Sequence, residues 1–220
     1  VLVLTNKVPY PASDGGAIAT LNLALGLNQN GVEVTLLAIN TSKHFYNVNE
    51  IPVSILSKIK VESVFVNTDI KLIKLVKNFL FAKIPYNAQR FLNPQYREKL
   101  ISLINTKHFE VIQIEGLYML PYIETIRKHT NALIAYRAHN IEHEIWQRGL
   151  DDKKGIKKAY LKHLLKRLIE FERLEVKQAD LWLPISQRDG KKLQGFANYN
   201  PPQLVVPVGL AGNLPERGHA

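Results

Sequence analysis

Short apolar runs rich in β-branched residues alternate with stretches of helical periodicity along most of the 220 residues. That alternation leaves few folds open. Val1-Leu2-Val3-Leu4 is a continuous apolar run, followed by a Pro- and Gly-containing segment and then by a helical pattern over 17–28 that Gly31 ends. The run over 32–39 reads as a second strand without strict apolar–polar alternation, as expected when both faces are buried. The pattern then returns: strands are predicted at 109–115, 132–137, 181–185 and 204–206, with helices at 118–128 and 187–193. Strands joined through helices lie parallel, and the helices cover the sheet on each side. The expected fold class is therefore α/β, a Rossmann-like parallel β-sheet with helices on both faces.

Between the second strand and residue 109 the pattern loosens to a strand at 60–66 and helices around 69–82 and 94–106, separated by Pro85. A long helix over 156–178 carries Leu161, Leu164, Leu165, Leu168, Phe171, Leu174 and Val176 at the spacing of one buried stripe, and its opposite face is strongly basic. Residues 1–210 read as one domain and 211–220 as an exit segment. A hydrophobic fraction of 46% excludes a disordered chain, and the absence of Cys excludes disulfides and thiolate-bound metal. The apolar runs are far shorter than the ~20 residues that span a bilayer. Because Val1 opens inside a strand-like run, the sequence suggests that a residue or two is missing and that no signal peptide precedes it. A cytoplasmic protein is expected.

Parallel sheets bind ligands at the carboxyl ends of their strands, so the loops there carry the candidates. The first contains Lys7, Tyr10, Asp14, Gly15 and Gly16. Two glycines at a helix start let backbone N–H groups approach an anion such as a diphosphate. The alternative is a plain turn capped by Ser13 or Asp14. GxGxxG is absent, and no Gly-Lys-Ser or Gly-Lys-Thr follows, which argues against a dinucleotide fingerprint and a Walker loop.

The loop after 132–137 reads Ala138-His139-Asn140-Ile141-Glu142-His143. Formally it contains H-x-x-E-H, the spacing of a zinc hydrolase using His139, Glu142 and His143. That chemistry needs both His on one helix, whereas His139 lies next to a predicted strand. His139 reads better as a polar group in a cleft, with Arg137, Asn140 and Glu142 as neighbours, and no metal site is assigned. Two more strand ends add Glu115, Ser186 and Arg188; Ser186 is also a plausible helix cap with Asp189 three residues on.

The order of these segments resembles one family. Pro9-Tyr10-Pro11, Gly15-Gly16, the helix and Asn30-Gly31-Val32-Glu33-Val34-Thr35 are similar to the opening of retaining GT-B glycosyltransferases of family four. Arg137-Ala138-His139-Asn140-Ile141-Glu142-His143 resembles the R-x-H-N-x-E form of sugar transferases in polysaccharide pathways. The stretch 168–186 with Asp189 resembles E-x(n)-A-D, strand, I-S-x-x-D. Val206-Pro207-Val208-Gly209-Leu210 resembles V-I-P-N-G-V-D, with Val208 in place of Asn and no Asp after Leu210.

The resemblance implies the N-terminal, acceptor-side half of a two-domain enzyme that transfers a sugar from a nucleotide-sugar to a saccharide or lipid-linked acceptor, in cell-surface polysaccharide synthesis. It implies His139 against the transferred sugar and Gly15 and Gly16 against the donor diphosphate or sugar. No cofactor is bound by this domain alone, and the nucleotide-sugar is a co-substrate. The expected partner is a C-terminal GT-B domain in cis, with an E-x7-E signature that this chain does not reach. The formal charge of +10 suits any polyanion. Lys71, Lys74 and Lys77 fall on one helical face, and with the basic long helix they suggest either peripheral contact with an anionic membrane or a solvated face; a non-catalytic anion- or membrane-binding α/β domain is the third reading beside sugar transfer and zinc hydrolysis. Basic residues interleaved with aromatics on a sheet or groove are missing, so no nucleic-acid partner is expected.

Overall fold

The computed structural model of the chain describes residues 1–69, 75, 77–79, 82, 84–150, 153–196 and 201–209, with backbone only at 156 and 157. Six strands, β1 (Leu2–Thr5), β2 (Thr35–Thr41), β3 (Lys60–Val66), β4 (Val111–Glu115), β5 (Leu133–Ala138) and β6 (Leu181–Pro184), form one sheet in the order β3-β2-β1-β4-β5-β6. Every pairing is parallel. The order reverses between β1 and β4, the switch point at which two outgoing loops part and leave a crevice.

The strands alternate their side chains between two cores. Leu2, Leu4, Leu37, Ile39, Ile112, Ile114, Ile134 and Tyr136 face one core. Val3, Leu36 and Ala38 face the other. All seven residues of β2 are buried, which is why it lacks alternation in sequence. One core is covered by α4 (Pro94–Thr106), α5 (Ile123–Arg127) and α7 (Gly155–Glu175) through residues such as Tyr96, Leu100, Ile126 and Leu168. The other is covered by α1 (Gly15–Gln29) through Leu21 and Ala24. Short helices α2 (Val53–Leu56) and α3 (Tyr86–Gln89) fill the connections, and α6 (Glu142–Arg148) and α8 (Gln187–Gln194) follow β5 and β6.

Local chemistry sets the ends of these elements. At the end of α1, the N–H of Val32 bonds to Leu27 O at 3.0 Å while Gly31 takes φ +80°, a left-handed conformation that suits glycine after a helix. Asn93 caps α4 by accepting from Tyr96 N at 3.0 Å, with Pro94 in the first turn, where its missing N–H costs no helical bond.

The predicted helices at 94–106 and 187–193 and the strand at 60–66 agree with the structure to within a residue. Several boundaries differ. The second strand starts at Thr35, because Val32–Val34 still close the turn after α1. The fourth begins at Val111, two residues after the predicted start. The helix predicted at 118–128 opens as a 3-10 turn, Leu117–Tyr122, with Pro121 inside it, before α5; proline removes the N–H that an α-turn would use. Residues 204–206 form no strand, although Trp182 N donates to Pro202 O and Leu204 N to Trp182 O, each at 2.9 Å, so the chain runs beside β6. Leu174 is 58% exposed and leaves the stripe of α7. The helix predicted around 69–82 and the exit segment 211–220 lie wholly or partly outside the described residues.

Candidate active site

Loops leaving β1, β4 and β5 meet over the β1/β4 switch point in a cleft of about 240 Å³. Its lining includes Asn6, Lys7, Asp14, Gly16, Thr20, Glu115, Gly116, Tyr118, His139, Asn140 and Glu142. The paired-glycine loop and the imidazole at 139 thus share one cavity at one end of the sheet.

Glu115, the last residue of β4, is 3% exposed and points toward α1 rather than into the large core. Thr20 Oγ1 donates to its Oε2 at 2.9 Å, Gln113 Nε2 donates to its Oε1, and His139 Nε2 reaches Oε2 at 2.5 Å. Burial alone pushes this carboxyl upward. The bond to His139, the nearby charges of His139 and Arg137, and the bond from Gln113 outweigh burial, so the group is held below its ordinary value. An ionised carboxylate only accepts, so His139 Nε2 carries the proton in that bond. In the neutral ring Nδ1 then keeps its lone pair.

Glu142 behaves oppositely. Burial and the charge of Glu172 raise its pKa, although Tyr118, which donates to Oε2 at 3.0 Å, and His139 lower it. Two carboxyl groups in one cleft are thereby pushed apart, one toward the charged form and one toward the neutral form. This is the arrangement that separates base-supporting from acid-supporting roles.

The first loop takes the capped-turn alternative. Asp14 caps α1, with Oδ1 accepting from Gly16 N at 3.0 Å and Ala17 N at 3.1 Å, and it pairs with Lys7. The hydrogen bond from Lys7 lowers its pKa most strongly, and these two N–H groups add to the effect against burial. The N–H groups of Gly16 and Ala17 are therefore taken by the Asp14 carboxylate. Gly16 lines the cleft and Gly15 does not. A Cβ at Gly16 would lie 3.4 Å from Asp14 Oδ1 and 3.8 Å from Lys7 Nζ, ordinary van der Waals separations, so a small side chain fits there.

Four other candidates stand outside the lining. Arg137 lies beneath the cleft at 1% exposure, donating to Ala19 O at 2.9 Å with its Nη1 3.9 Å from Glu115 Oε2. Tyr10 packs edge-on against Tyr46, ring centroids 5.3 Å apart. Ser186 is the N-cap of α8, exchanging bonds with Asp189 at 3.1 and 2.7 Å. Arg188 is bonded to Glu144 and to Asp189, tying α8 to α6. Lys7, Asp14, Glu115, Asn140 and Glu142 all line the cleft.

His143 does not join His139. Its Nδ1 lies 2.6 Å from Glu172 Oε2, and the fully buried Glu172 also accepts from Glu142 N at 2.8 Å and His143 N at 3.2 Å, capping α6 from α7. The two imidazoles engage different carboxylates on different elements. Among the described residues no group of three or more His, Asp or Glu is arranged to hold a metal ion, so the H-x-x-E-H spacing builds no ligand set.

Thr20 and Tyr118 were not singled out by sequence, whereas Gly116 stands with Glu115 at the same predicted strand end. Gly116 takes φ +81° directly after Glu115, a conformation L side chains rarely adopt, and it turns the chain across the cleft. Thr20 carried a signal, a hydroxyl on the Ala17–Leu21–Ala24 face of α1, where an apolar side chain would otherwise be expected.

No protein-family model matches this sequence, and no curated protein matches it. Solved structures do resemble its fold. Phytolacca americana UGT2 complexed with UDP-2-fluoro-glucose and pterostilbene superposes with a TM-score of 0.56 at 13% identity, covering 96% of this chain and 55% of that one. Sucrose-phosphate synthase from Thermosynechococcus elongatus gives 0.57 at 12% identity, covering 94% and 47%. A UGT transferase from Siraitia grosvenorii in complex with UDP gives 0.50 at 12%, covering 93% and 50%. The chain spans about half the length of the chains it matches. Its six-stranded parallel sheet has the Rossmann-like fold of GT-B glycosyltransferase domains and fits the N-terminal half of that fold.

Proposed function

We propose that this chain is the acceptor-side half of a retaining glycosyltransferase, moving a sugar from a nucleotide-sugar to a saccharide or lipid-linked acceptor in polysaccharide synthesis. One observation carries the reading: Gly16, Glu115 and His139 meet in a cleft at the switch point of a GT-B-type sheet. A second Rossmann-like domain in cis would close the cleft and grip the nucleotide. In the retaining scheme the sugar C1–O bond to the diphosphate breaks and the acceptor oxygen bonds to C1 on the same face. The acceptor proton passes to the leaving phosphate. His139, oriented by Glu115, hydrogen-bonds the transferred sugar.

The Glu115–His139 pair also favours a second mechanism on the same site. A carboxylate that fixes one imidazole nitrogen leaves the other to take a proton, as in base–orienter pairs generally. His139 Nδ1 would then accept the acceptor hydroxyl proton and the sugar would invert. Proton NMR of the product formed by the complete polypeptide, with a panel of nucleotide-sugars, separates the two: the anomeric configuration of the donor is expected to be kept. The chain alone is expected to turn over no donor, and native-like turnover by it would contradict the half-enzyme reading.

The localisation proposed is the cytoplasmic face of a membrane, held peripherally. Among the described residues no helix is long and apolar enough to cross a bilayer. Lys154, just before α7, and Lys158, Lys162 and Lys166 within it are all exposed at a spacing of four, which supports contact with anionic lipid.

A further inference from the structure

A second cavity, of about 580 Å³, opens beside the cleft at the carboxyl ends of β1, β2 and β3, and the two share Asn6 and Lys7. Its chemistry differs from that of the cleft. Lys43 and His44, from the loop after β2, and Arg90, after α3, line it, and Asp69 is the one acid among its lining residues. Asp69 already accepts from Ser42 Oγ at 2.8 Å. Neither Lys43 nor Arg90 makes an ion pair among the described residues. Arg90 Nε is buried and lacks a hydrogen-bond partner, although its guanidinium lies 5.3 Å from the centroid of the Phe91 ring. A guanidinium at a cavity wall without an ion pair gains a charge-assisted hydrogen bond when its terminal nitrogens meet an anion. Thr41 and Thr68, 4% and 5% exposed, add hydroxyl-bearing side chains to the wall.

We propose that this cavity is a phosphate subsite, in which Lys43 and Arg90 hold a phosphate or diphosphate group of the acceptor while its reacting hydroxyl lies in the adjoining cleft. The identity of the ligand as an acceptor rests on the glycosyl-transfer reading; the anion site itself does not. Guanidinium and ammonium donors together suit a tetrahedral dianion. Lys7, shared by both cavities but paired with Asp14, marks where they join.

The test is a titration of the ¹⁵N-labelled chain with inorganic pyrophosphate, followed by amide chemical shifts. Saturable shifts are expected at residues 41–44, 68–69 and 90. Lys43→Ala and Arg90→Gln are each expected to weaken binding about tenfold, as loss of one charge-assisted hydrogen bond does. Lys58→Ala, exposed just before β3 at the opposite end of the sheet, leaves it unchanged. Shifts spread over the surface far from the cavity, or equal weakening by Lys58→Ala, would mean unspecific attraction and overturn the site, as would an absence of saturable binding. Lys43 is exposed, so its variant keeps the test valid if Arg90→Gln fails to fold. Competition by a hexose 6-phosphate and by a short-chain prenyl-diphosphate sugar, with glucose as neutral control, distinguishes a soluble from a lipid-linked source. Displacement by glucose would contradict recognition through phosphate. Pyrophosphate binding intact in a complete polypeptide that transfers no sugar would sink the transfer reading and leave the subsite standing.

Discussion

Glu115 contributes most to the cleft because it serves three partners from within the protein. Replacing it with Gln keeps the shape but removes the charge that Arg137 and His139 face, and is expected to cost about 2 kcal/mol at pH 7. The folded state holds this carboxyl below its ordinary 4.5, chiefly because the bond to His139 and the charges around it overcome burial. As pH falls, the unfolded chain therefore takes up this proton first. The stability that Glu115 contributes is fully present above pH 4.5 and disappears as pH drops through the folded value. Urea melts between pH 6 and pH 3.5 are expected to show a shallower loss for Glu115→Gln than for the parent, and parallel curves would remove the carboxylate from this role. Glu175 runs the other way: burial, reinforced by Glu124 and opposed by Gln178, raises its pKa to about 7. The folded state keeps that proton longer, so stability falls as pH climbs from 4.5 toward 7. Glu175→Gln is expected to gain stability over the parent at pH 8 and little at pH 4.5. An equal gain at both would show that the shift is absent.

Elements were readable in sequence where one physical cause dominated. The parallel sheet was legible because β-branched runs and helical patterns alternated, and α4 because Asn93-Pro94 announces its start. Boundaries moved where a turn competed, as at Val32–Val34 and Pro121. In the site, His139, Glu115 and Glu142 were legible as polar residues at strand ends. The capture of Gly16 and Ala17 N–H by Asp14 was not, since sequence leaves open whether a helix start binds its own cap or a ligand. Nor was the pairing of His143 with Glu172, which lie 29 residues apart and meet only because α6 packs on α7. Helix α7 also bears on location. Vesicles of anionic lipid are expected to co-float the chain, and Lys158→Glu, Lys162→Glu and Lys166→Glu together to abolish flotation without altering the melting curve. Flotation that survives the reversal would assign these lysines to a solvated face.

At the scale of the whole chain, the cleft opens at the carboxyl end of the sheet beside the β1/β4 switch point, where the proposed second domain would cover it. The Rossmann-like strand order, the cleft at the switch point and the likeness to GT-B structures over almost all of this chain bear on the same end. The comparison that bears hardest on the proposed function is the transfer rate of the complete polypeptide beside that of its His139→Ala variant, with melting temperatures recorded for both. The expected result is a kcat reduced at least about tenfold, the low end for a positioned proton-transfer or hydrogen-bonding group, at an unchanged melting temperature. Equal rates in the two proteins would take His139, and with it the cleft at the switch point, out of the chemistry.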